Sequence, residues 1–279
     1  MSERQSFFEE NGFWIESEPL FDEGELERFR ASMDDILAHK YESGRQPTKG
    51  RNFPDRSDPA GLIQINNAFW AGGGIRELAL SPRLGKIAAE LIQANGVCMW
   101  HDQLIYKPSQ VGTTPNEGNV GWHQDWNYWQ ACDKPDLITA WVALDDVTRE
   151  NGAMKIVPRS HKWGIVFDHQ TRALDVERQK EDFQIPEGET LEIIQCEMKA
   201  GCASFHHAIT LHGSGPNLTA RPRLGHAIHM VADHVRYTKS RGASHSNLAV
   251  CPREEGDLFR GEQHPVIWQD EPDREEESL

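Results

Sequence analysis

The hydrophobic pattern changes its period at Gly96, and this change limits the folds open to the chain. Before it, apolar residues recur at helical spacing over residues 25–40 and again from residue 81 to near Gly96, which predicts two amphipathic helices. After it, short apolar or alternating segments are separated by turn signals such as Ala200-Gly201, which indicates strands. Helices followed by many short strands predict an α+β fold, mainly β with N-terminal helices, whose strands form a sandwich or jelly roll.

Seven strands are predicted in this second part of the chain. One contains the segment Gly121-Trp122-His123-Gln124-Asp125-Trp126, and the others cover residues 97–107, 138–144, 154–157, 191–198, 202–211 and 224–231. In the strand over residues 97–107, alternation places five side chains on one face: Met99, His101, Gln103, Ile105 and Lys107.

No internal repeat or linker divides the sequence, so we expect a single domain over residues 1–279. Residues 41–62 are rich in Gly, Pro and charged side chains and show little periodicity, which predicts a loop that could cover a site as a lid. Residues 271–279 are acidic, which predicts a disordered tail.

Charge and cysteine content limit the partners and the compartment. The formal net charge of -15 argues against an extended nucleic-acid or anionic-membrane surface, because both need a basic patch. Five widely spaced cysteines without a Cys-X-X-Cys pair are typical of reduced thiols, and no stretch is apolar enough to span a bilayer. We therefore expect a cytoplasmic protein with a small-molecule substrate, and neither nucleic acid nor a membrane as partner; the oligomeric state is not predictable.

A metal site is suggested by His123 and Asp125, which a single residue separates. On a strand, this spacing puts both side chains on one face, and His212 could complete the set from a distant strand. Two imidazoles and one carboxylate leave several positions of a metal octahedron open, which is the ligand set of non-haem Fe(II) oxygenases. Alone, a His-X-Asp pair is more often a surface or capping pair in a chain with 13 histidines.

Cationic and hydroxyl side chains follow the same elements. A turn after His212 would let the next strand run back alongside and bring Arg223 near the metal, where a guanidinium can hold a carboxylate through two hydrogen bonds. Ser214 lies two residues beyond His212, and Lys107 ends the strand that carries Gln103. Two cations and a hydroxyl near a metal predict a site for a dicarboxylate.

Several separated motifs together resemble the phytanoyl-CoA dioxygenase family, in the right order and over most of the chain. They are Phe7-Phe8-Glu9-Glu10-Asn11-Gly12-Phe13, Leu104-Ile105-Tyr106-Lys107-Pro108, Trp122-His123-Gln124-Asp125, Asn151-Gly152-Ala153-Met154, Ile156-Val157-Pro158-Arg159-Ser160-His161, His212-Gly213-Ser214-Gly215-Pro216-Asn217 and Arg221-Pro222-Arg223.

This resemblance implies a double-stranded β-helix, a cupin-like jelly roll, with Fe(II) held by His123, Asp125 and His212. It also implies a 2-oxoglutarate site. The residues that map onto this site are Arg223 for the distal carboxylate, Ser214 and Lys107 as its partners, and Trp141 as a wall. The implied reaction uses O2 and 2-oxoglutarate, releases succinate and CO2, and hydroxylates a C–H bond of the substrate.

Other outcomes stay open at this stage. Halogenating relatives lack the carboxylate ligand, so the presence of Asp125 favours hydroxylation, but it does not exclude desaturation. A zinc-using cupin-like enzyme would leave Arg223 and Ser214 without a carboxylate to bind. A catalytically silent protein that only binds a ligand would have no physical reason to retain the whole set. The fold alone does not identify the primary substrate.

The remaining candidates have a structural interpretation beside the functional one. We expect His206 and His207 to share the strand with His212, so that one of them could replace it as a ligand, but only His212 precedes the Gly-Ser-Gly-Pro-Asn turn. For substrate contacts we name the four residues that lie near the motif or share its expected face, although aromatic side chains in a β protein are most often core. They are Gln103, Trp126, Asn127 and Trp129.

Overall fold

The computed structural model describes residues 1–55, 58, 61–112, 118–166, 178–239, 245, 247–248 and 252–270. The helices in these ranges are α1 (Glu3–Asn11), α2 (Glu23–Leu37), α3 (Gly73–Ala79) and α4 (Pro82–Leu91). The strands are β1 (Phe13–Glu16), β2 (Ile63–Asn66), β3 (Gly96–Lys107), β4 (Val120–His123), β5 (Leu137–Ala143), β6 (Met154–Ile156), β7 (Ile194–Gln195), β8 (Ala203–His207), β9 (His212–Ser214), β10 (Arg223–Ala232) and β11 (Val266–Gln269). The predicted tail, residues 271–279, lies outside the described residues.

The strands form two antiparallel sheets. The larger has the order β1-β8-β5-β10-β3-β11, with β2 also paired to β3, and the smaller has the order β4-β9-β6-β7. An apolar cluster with members from both sheets, among them Ile105 and Trp141 from the larger and Met154 and Ile156 from the smaller, lies between them. The predicted mainly β architecture with N-terminal helices is therefore confirmed.

The helices cover the outer face of the larger sheet. Helix α2 begins with a capping box, in which the side chains of Asp22 and Glu25 each accept a hydrogen bond from the other's backbone N–H. Its buried residues Phe29 and Met33 join a core that also contains Leu104 of β3 and Ile228 of β10. Because this face of the sheet is filled, the face toward the smaller sheet is the one left for a site.

The predicted helices and strands differ from the structure in detail. The helices expected over residues 25–40 and 81–96 are found as α2 and α4, whereas α1, α3, β1, β2 and β11 had no prediction. Only Ile194–Gln195 pairs as a strand within the predicted segment 191–198.

The segment predicted as one strand over residues 202–211 is two strands in different sheets. β8 belongs to the larger sheet and β9 to the smaller, and the Thr210 N–H donates to the His207 carbonyl in the turn between them. The expectation that His206 and His207 share a strand with His212 is therefore wrong.

A β-bulge interrupts the alternation of β3. His101 is opposite His229, but Met99 is opposite Met230, so Trp100 is the additional residue. Met99 accordingly packs in the helix-side core with Leu104. The prediction that Met99 shares a face with His101 and Gln103 is therefore wrong.

The remaining expectations concern the loop, the cysteines and the membrane. In the predicted lid, the described residues form isolated bridges from Thr48 to Asn66 and from Gly50 to Phe53. All the cysteines in the described residues are free and buried, and Cys251 lies outside them. No helix in the described part of the chain has both the length and the apolar character to cross a membrane.

Candidate active site

Two imidazoles meet where β4 pairs with β9. His123 is directly opposite His212 in this pair, and the centroids of their rings are 4.1 Å apart. The Nδ1 atom of each ring donates to a carbonyl two residues earlier, from His123 to Gly121 at 2.8 Å and from His212 to Thr210 at 2.9 Å. These bonds fix the tautomers and leave both Nε2 atoms as free ligands.

Asp125 brings a carboxylate to the same two nitrogen atoms. The prediction that one strand carries both His123 and Asp125 is wrong, because β4 ends at His123 and Asp125 lies in a one-turn helix after it. The Asp125 Oδ1 atom is 3.5 Å from His123 Nε2 and 3.9 Å from His212 Nε2. The ligand atoms of these three residues all lie within 4.8 Å of one another. Two imidazole nitrogens and one carboxylate oxygen can therefore hold one metal ion.

The protonation states of His212 and Asp125 suit metal binding. Burial, together with repulsion from the neighbouring imidazoles, lowers the pKa of His212 well below its ordinary value. Burial alone raises the pKa of Asp125, but the adjacent His212, His123 and His206 outweigh it and hold the pKa of that carboxyl well below its ordinary range. A neutral imidazole and an ionised carboxylate are the forms that bind metals.

A second group of polar side chains lies at the other end of the same pocket. Arg223 is opposite Lys107 in the pairing of β10 with β3. The Lys107 ammonium donates to the Ser214 hydroxyl at 2.7 Å and to the Gly215 carbonyl at 2.5 Å. The Arg223 guanidinium donates to the Gly152 carbonyl at 3.0 Å, whereas its buried Nε and Nη1 atoms have no hydrogen-bond partner.

Burial of these two cations is electrostatically unfavourable. It lowers the pKa of Arg223 to about 10 and, with repulsion from Arg223, lowers the pKa of Lys107 well below its ordinary value. Asp145 is the acidic group whose charge supports protonated Arg223. A bound anion would satisfy the two unpartnered guanidinium nitrogens and offset the repulsion.

Trp141 lies beside the guanidinium, with its ring centroid 4.8 Å from Arg223 Cζ. Trp141 is on β5 and is opposite Ala227 of β10. Ala227 is in turn opposite Gln103 of β3. Gly225 makes room for this ring, since a Cβ at residue 225 would lie 2.2 Å from Trp141 Cζ2. The indole thus lines the pocket beside the guanidinium.

One pocket connects the two ends. The predicted site residues that line it are His123, Asp125, His212, Ser214, Arg223, Trp141 and Gln103. Lys107 reaches this lining through its hydrogen bond to Ser214. The Gln103 side chain donates to Asn66 Oδ1 at 3.0 Å, so it is held in place by β2.

The other predicted substrate contacts lie elsewhere. Trp126 and Trp129 are buried in an apolar cluster with Cys98 and Trp100. Neither they nor Asn127 are among the described residues that line the pocket. Their contact with substrate stays a prediction.

Thr139 and His229 line the pocket next to Asp125 and were not predicted from the sequence. His206 also lines it and was considered only as a possible replacement for His212. The Thr139 hydroxyl donates to Asp125 Oδ2 at 3.1 Å, and His206 Nε2 lies 3.4 Å from the same oxygen. Their positions follow from strand pairing, which periodicity within one segment does not reveal. For His206, the neighbouring ligand His212 was the available signal.

The sequence of this chain matches a known protein family. The family model for phytanoyl-CoA dioxygenase matches residues 8–225. A probable phytanoyl-CoA dioxygenase of Caenorhabditis elegans is 27% identical over 257 residues, covering 89% of this chain and 81% of that protein. A probable alpha-ketoglutarate-dependent hypophosphite dioxygenase of Stutzerimonas stutzeri is 36% identical over 163 residues, covering 56% of this chain and 52% of that protein.

The fold has solved counterparts. The epimerase SnoN, crystallised with Fe3+, alpha ketoglutarate and nogalamycin RO, superposes with a TM-score of 0.70 at 22% identity, covering 94% of this chain and 96% of SnoN. The family model spans more than half of the sequence and includes every candidate metal ligand and the buried arginine. The resemblance noted from the sequence motifs is thus confirmed, and the chain belongs to the phytanoyl-CoA dioxygenase family.

Proposed function

We propose that this protein is an Fe(II)- and 2-oxoglutarate-dependent dioxygenase that hydroxylates a C–H bond of a small molecule and releases succinate and CO2. One observation supports this most directly. A three-residue metal site of two histidines and an aspartate shares a single pocket with a buried guanidinium that has unpartnered donors. These are the two features that a chelating dicarboxylate cosubstrate requires.

The donor set fits iron. His123, Asp125 and His212 would hold the ion through two nitrogens and one oxygen, a set that leaves coordination positions for the cosubstrate and O2. When bound, iron and 2-oxoglutarate together supply the oxidising chemistry that cleaves O2 and places one oxygen atom in the substrate and the other in succinate. The two histidines are oriented because their Nδ1 atoms already donate to the Gly121 and Thr210 carbonyls, which turns both Nε2 atoms toward the metal position.

The cation end would select the cosubstrate. Arg223 offers Nε and Nη1 to the distal carboxylate, and Lys107 and Ser214 add charge and a hydroxyl. Arginine suits this role because its planar fork matches a carboxylate. Trp141 is 6% exposed and lies beside the guanidinium. It would therefore exclude water from the part of the bound 2-oxoglutarate that joins its two carboxylates.

Amide side chains in the pocket would hydrogen-bond a polar group on a small primary substrate. Gln103 and Gln64 line the pocket, and Asn66 holds the Gln103 amide. Amide groups at a pocket wall recognise hydroxyl, carbonyl or amide groups on a ligand. We further propose that the two facing sheets form the double-stranded β-helix that the resemblance implies.

Metal binding provides the first test. We expect the protein to bind one Fe(II) per chain in anaerobic equilibrium dialysis, and His123→Ala or Asp125→Ala to weaken that binding by about 100-fold or more, because each removes one of three ligands. His234→Ala is the matched control, since His234 is exposed and pairs with Asp136 away from the pocket. Wild-type affinity in His123→Ala would contradict the assignment.

A further inference from the structure

A row of polar side chains crosses the larger sheet beneath Asp125. Strand pairing sets His206 of β8 opposite Thr139 of β5, Thr139 opposite His229 of β10, and His229 opposite His101 of β3. All four are buried. Three imidazoles and a hydroxyl thus lie side by side at one level of the sheet.

The carboxylate of Asp125 has different surroundings at its two oxygen atoms. Oδ1 lies 3.5 Å from His123 Nε2 and 3.9 Å from His212 Nε2. Oδ2 accepts from the Thr139 hydroxyl at 3.1 Å and lies 3.4 Å from His206 Nε2. One oxygen therefore faces the other metal ligands, and the other faces the row.

The direction of the hydrogen bonds follows from counting protons. The Thr139 hydroxyl has one hydrogen and donates it to Asp125 Oδ2. At its 2.7 Å contact with His229 Nδ1 it must then accept, so that nitrogen carries the proton. The His229 ring is in turn packed against His101 at 4.3 Å and Trp129 at 4.9 Å between centroids. The Thr139 hydroxyl is therefore fixed by two buried hydrogen bonds, one to Asp125 and one from His229, and rotation would break both.

We infer that Thr139, His206 and His229 are positioning residues. Thr139 and His206 occupy Oδ2 of Asp125 and leave Oδ1 alone to bind the metal, and His229 holds the Thr139 hydroxyl in place. A carboxylate can bind a metal through one or both oxygens, and binding through both would take a position that the cosubstrate or O2 needs. This inference rests on the proposed function. It assigns roles to side chains outside the set of three candidate metal ligands.

The first variant is Thr139→Val, which keeps the shape of the side chain and removes the hydroxyl. Partners that orient a metal ligand typically change metal affinity or activity by about 10- to 100-fold when lost. We expect a loss in this range for Co(II) affinity, measured by titration, and a changed visible spectrum of the Co(II) protein, whose intensity depends on coordination number. Thr139→Ser, which restores the hydroxyl, should recover most of the affinity and the wild-type spectrum.

Two further variants complete the design. His206→Phe removes the other neighbour of Oδ2 and should weaken Co(II) binding in the same direction. Ser204→Ala is the matched control, because it deletes a buried hydroxyl without a hydrogen-bond partner from the same strand as His206, and it should bind Co(II) like the wild type. A cooperative unfolding transition is required of each protein, and if Thr139→Val does not fold, His206→Phe decides.

The possible results separate two conclusions. Wild-type Co(II) affinity and an unchanged spectrum in folded Thr139→Val, or in His206→Phe when that variant decides, would overturn the positioning role. Failure of the wild-type protein to bind either Co(II) or Fe(II) would contradict the proposed function itself.

Discussion

At the scale of single residues, Arg223 combines burial with unsatisfied donors. It is 3% exposed, and two of its guanidinium nitrogens have no partner. Charged hydrogen bonds contribute about 1.5–3 kcal/mol each, so losing a bidentate pair should weaken 2-oxoglutarate binding by about 100-fold or more. We expect this for Arg223→Leu in calorimetric titrations with 2-oxoglutarate, while the affinity for the metal stays near that of the wild type.

Arg221→Leu is the control for this loss. Arg221 is exposed and two residues away on the same segment, so the substitution changes the net charge equally. If Arg221→Leu lost the cosubstrate and Arg223→Leu did not, the carboxylate clamp would belong to Arg221.

Lys107 should make cosubstrate binding depend on pH. Burial and the Arg223 charge lower the pKa of its ammonium, so without a bound anion it loses its proton at a lower pH than an ordinary lysine. A bound dicarboxylate raises this pKa again, so binding takes up protons, and the affinity falls as the pH rises through the interval between the two values. Calorimetry in buffers of different ionisation enthalpy measures this uptake.

Lys107→Met is the variant that checks the source of the protons. It should bind 2-oxoglutarate more weakly and without the proton uptake attributed to Lys107. Uptake of the same size in this variant would assign the pH dependence to another group.

The candidate metal ligands were predictable from their spacing in the sequence. The short separation of His123 and Asp125, and the motif around His212, pointed to residues that the structure brings within metal-binding distance. Thr139 and His229 could not be found in this way, because they reach Asp125 through the pairing of β5 with β10. Pairing between strands distant in sequence is set by the whole sheet and leaves no local pattern.

At the scale of the elements, β10 depends on a small residue at 225. A Cβ there would lie 2.2 Å from Trp141 Cζ2, which is closer than unbonded atoms approach. We expect Gly225→Ala to lower the free energy of unfolding by about 1–3 kcal/mol, as overpacking does, and to weaken 2-oxoglutarate binding because Trp141 must move. Chemical denaturation and calorimetry measure the two effects.

Gly24→Ala offers the opposite expectation. Gly24 is exposed in the first turn of α2, and the nearest atom to an added Cβ is Asp22 Oδ1 at 3.4 Å. Alanine should raise the free energy of unfolding there by up to about 1 kcal/mol, since glycine is a poor helix former.

A Gly225→Ala protein as stable as the wild type would contradict the overpacking prediction, because it would show that the Trp141 indole has room to shift.

Strand boundaries show where sequence periodicity stopped being sufficient. Residues 202–211 contain no Gly or Pro that would signal a turn, but the chain turns before His212 and changes sheets. In β3, the added residue Trp100 moves Met99 to the helix side. A turn or bulge within an apolar segment changes the geometry without changing the composition, so periodicity alone predicted the presence of both strands better than their ends or faces.

At the scale of the whole molecule, the site joins the two sheets. His123 and His212 are on the smaller sheet, whereas Arg223 and the Thr139 partner of Asp125 are on the larger. A ligand that binds only the folded state at 100 times its Kd adds about 2.7 kcal/mol to stability. Anaerobic Fe(II) and 2-oxoglutarate, each at this excess over its Kd, should therefore each raise the unfolding temperature by roughly 5 °C in a chain of this size, measured by calorimetry.

Asp125→Ala should lose most of the shift caused by Fe(II), because one of the three ligands is gone. A shift of wild-type size in this variant would mean that the metal stabilises the protein from another site.

The fold class was predictable from the change of period at Gly96, since helices followed by many short strands allow few arrangements. The order of strands in each sheet was not, because β10 lies between β3 and β5 although it is far from both in sequence. The sequence motifs indicated the family, and the family model over residues 8–225 agrees with them.

The most direct test of the central claim is an anaerobic titration of the Fe(II)-loaded protein with 2-oxoglutarate, followed by visible absorption. We predict a weak metal-to-ligand charge-transfer band that grows to saturation at one cosubstrate per chain, because a keto acid that chelates iron produces such a band. Absence of the band from a protein with one Fe(II) demonstrably bound per chain would contradict the proposal that this pocket is a 2-oxoglutarate-dependent oxygenase site.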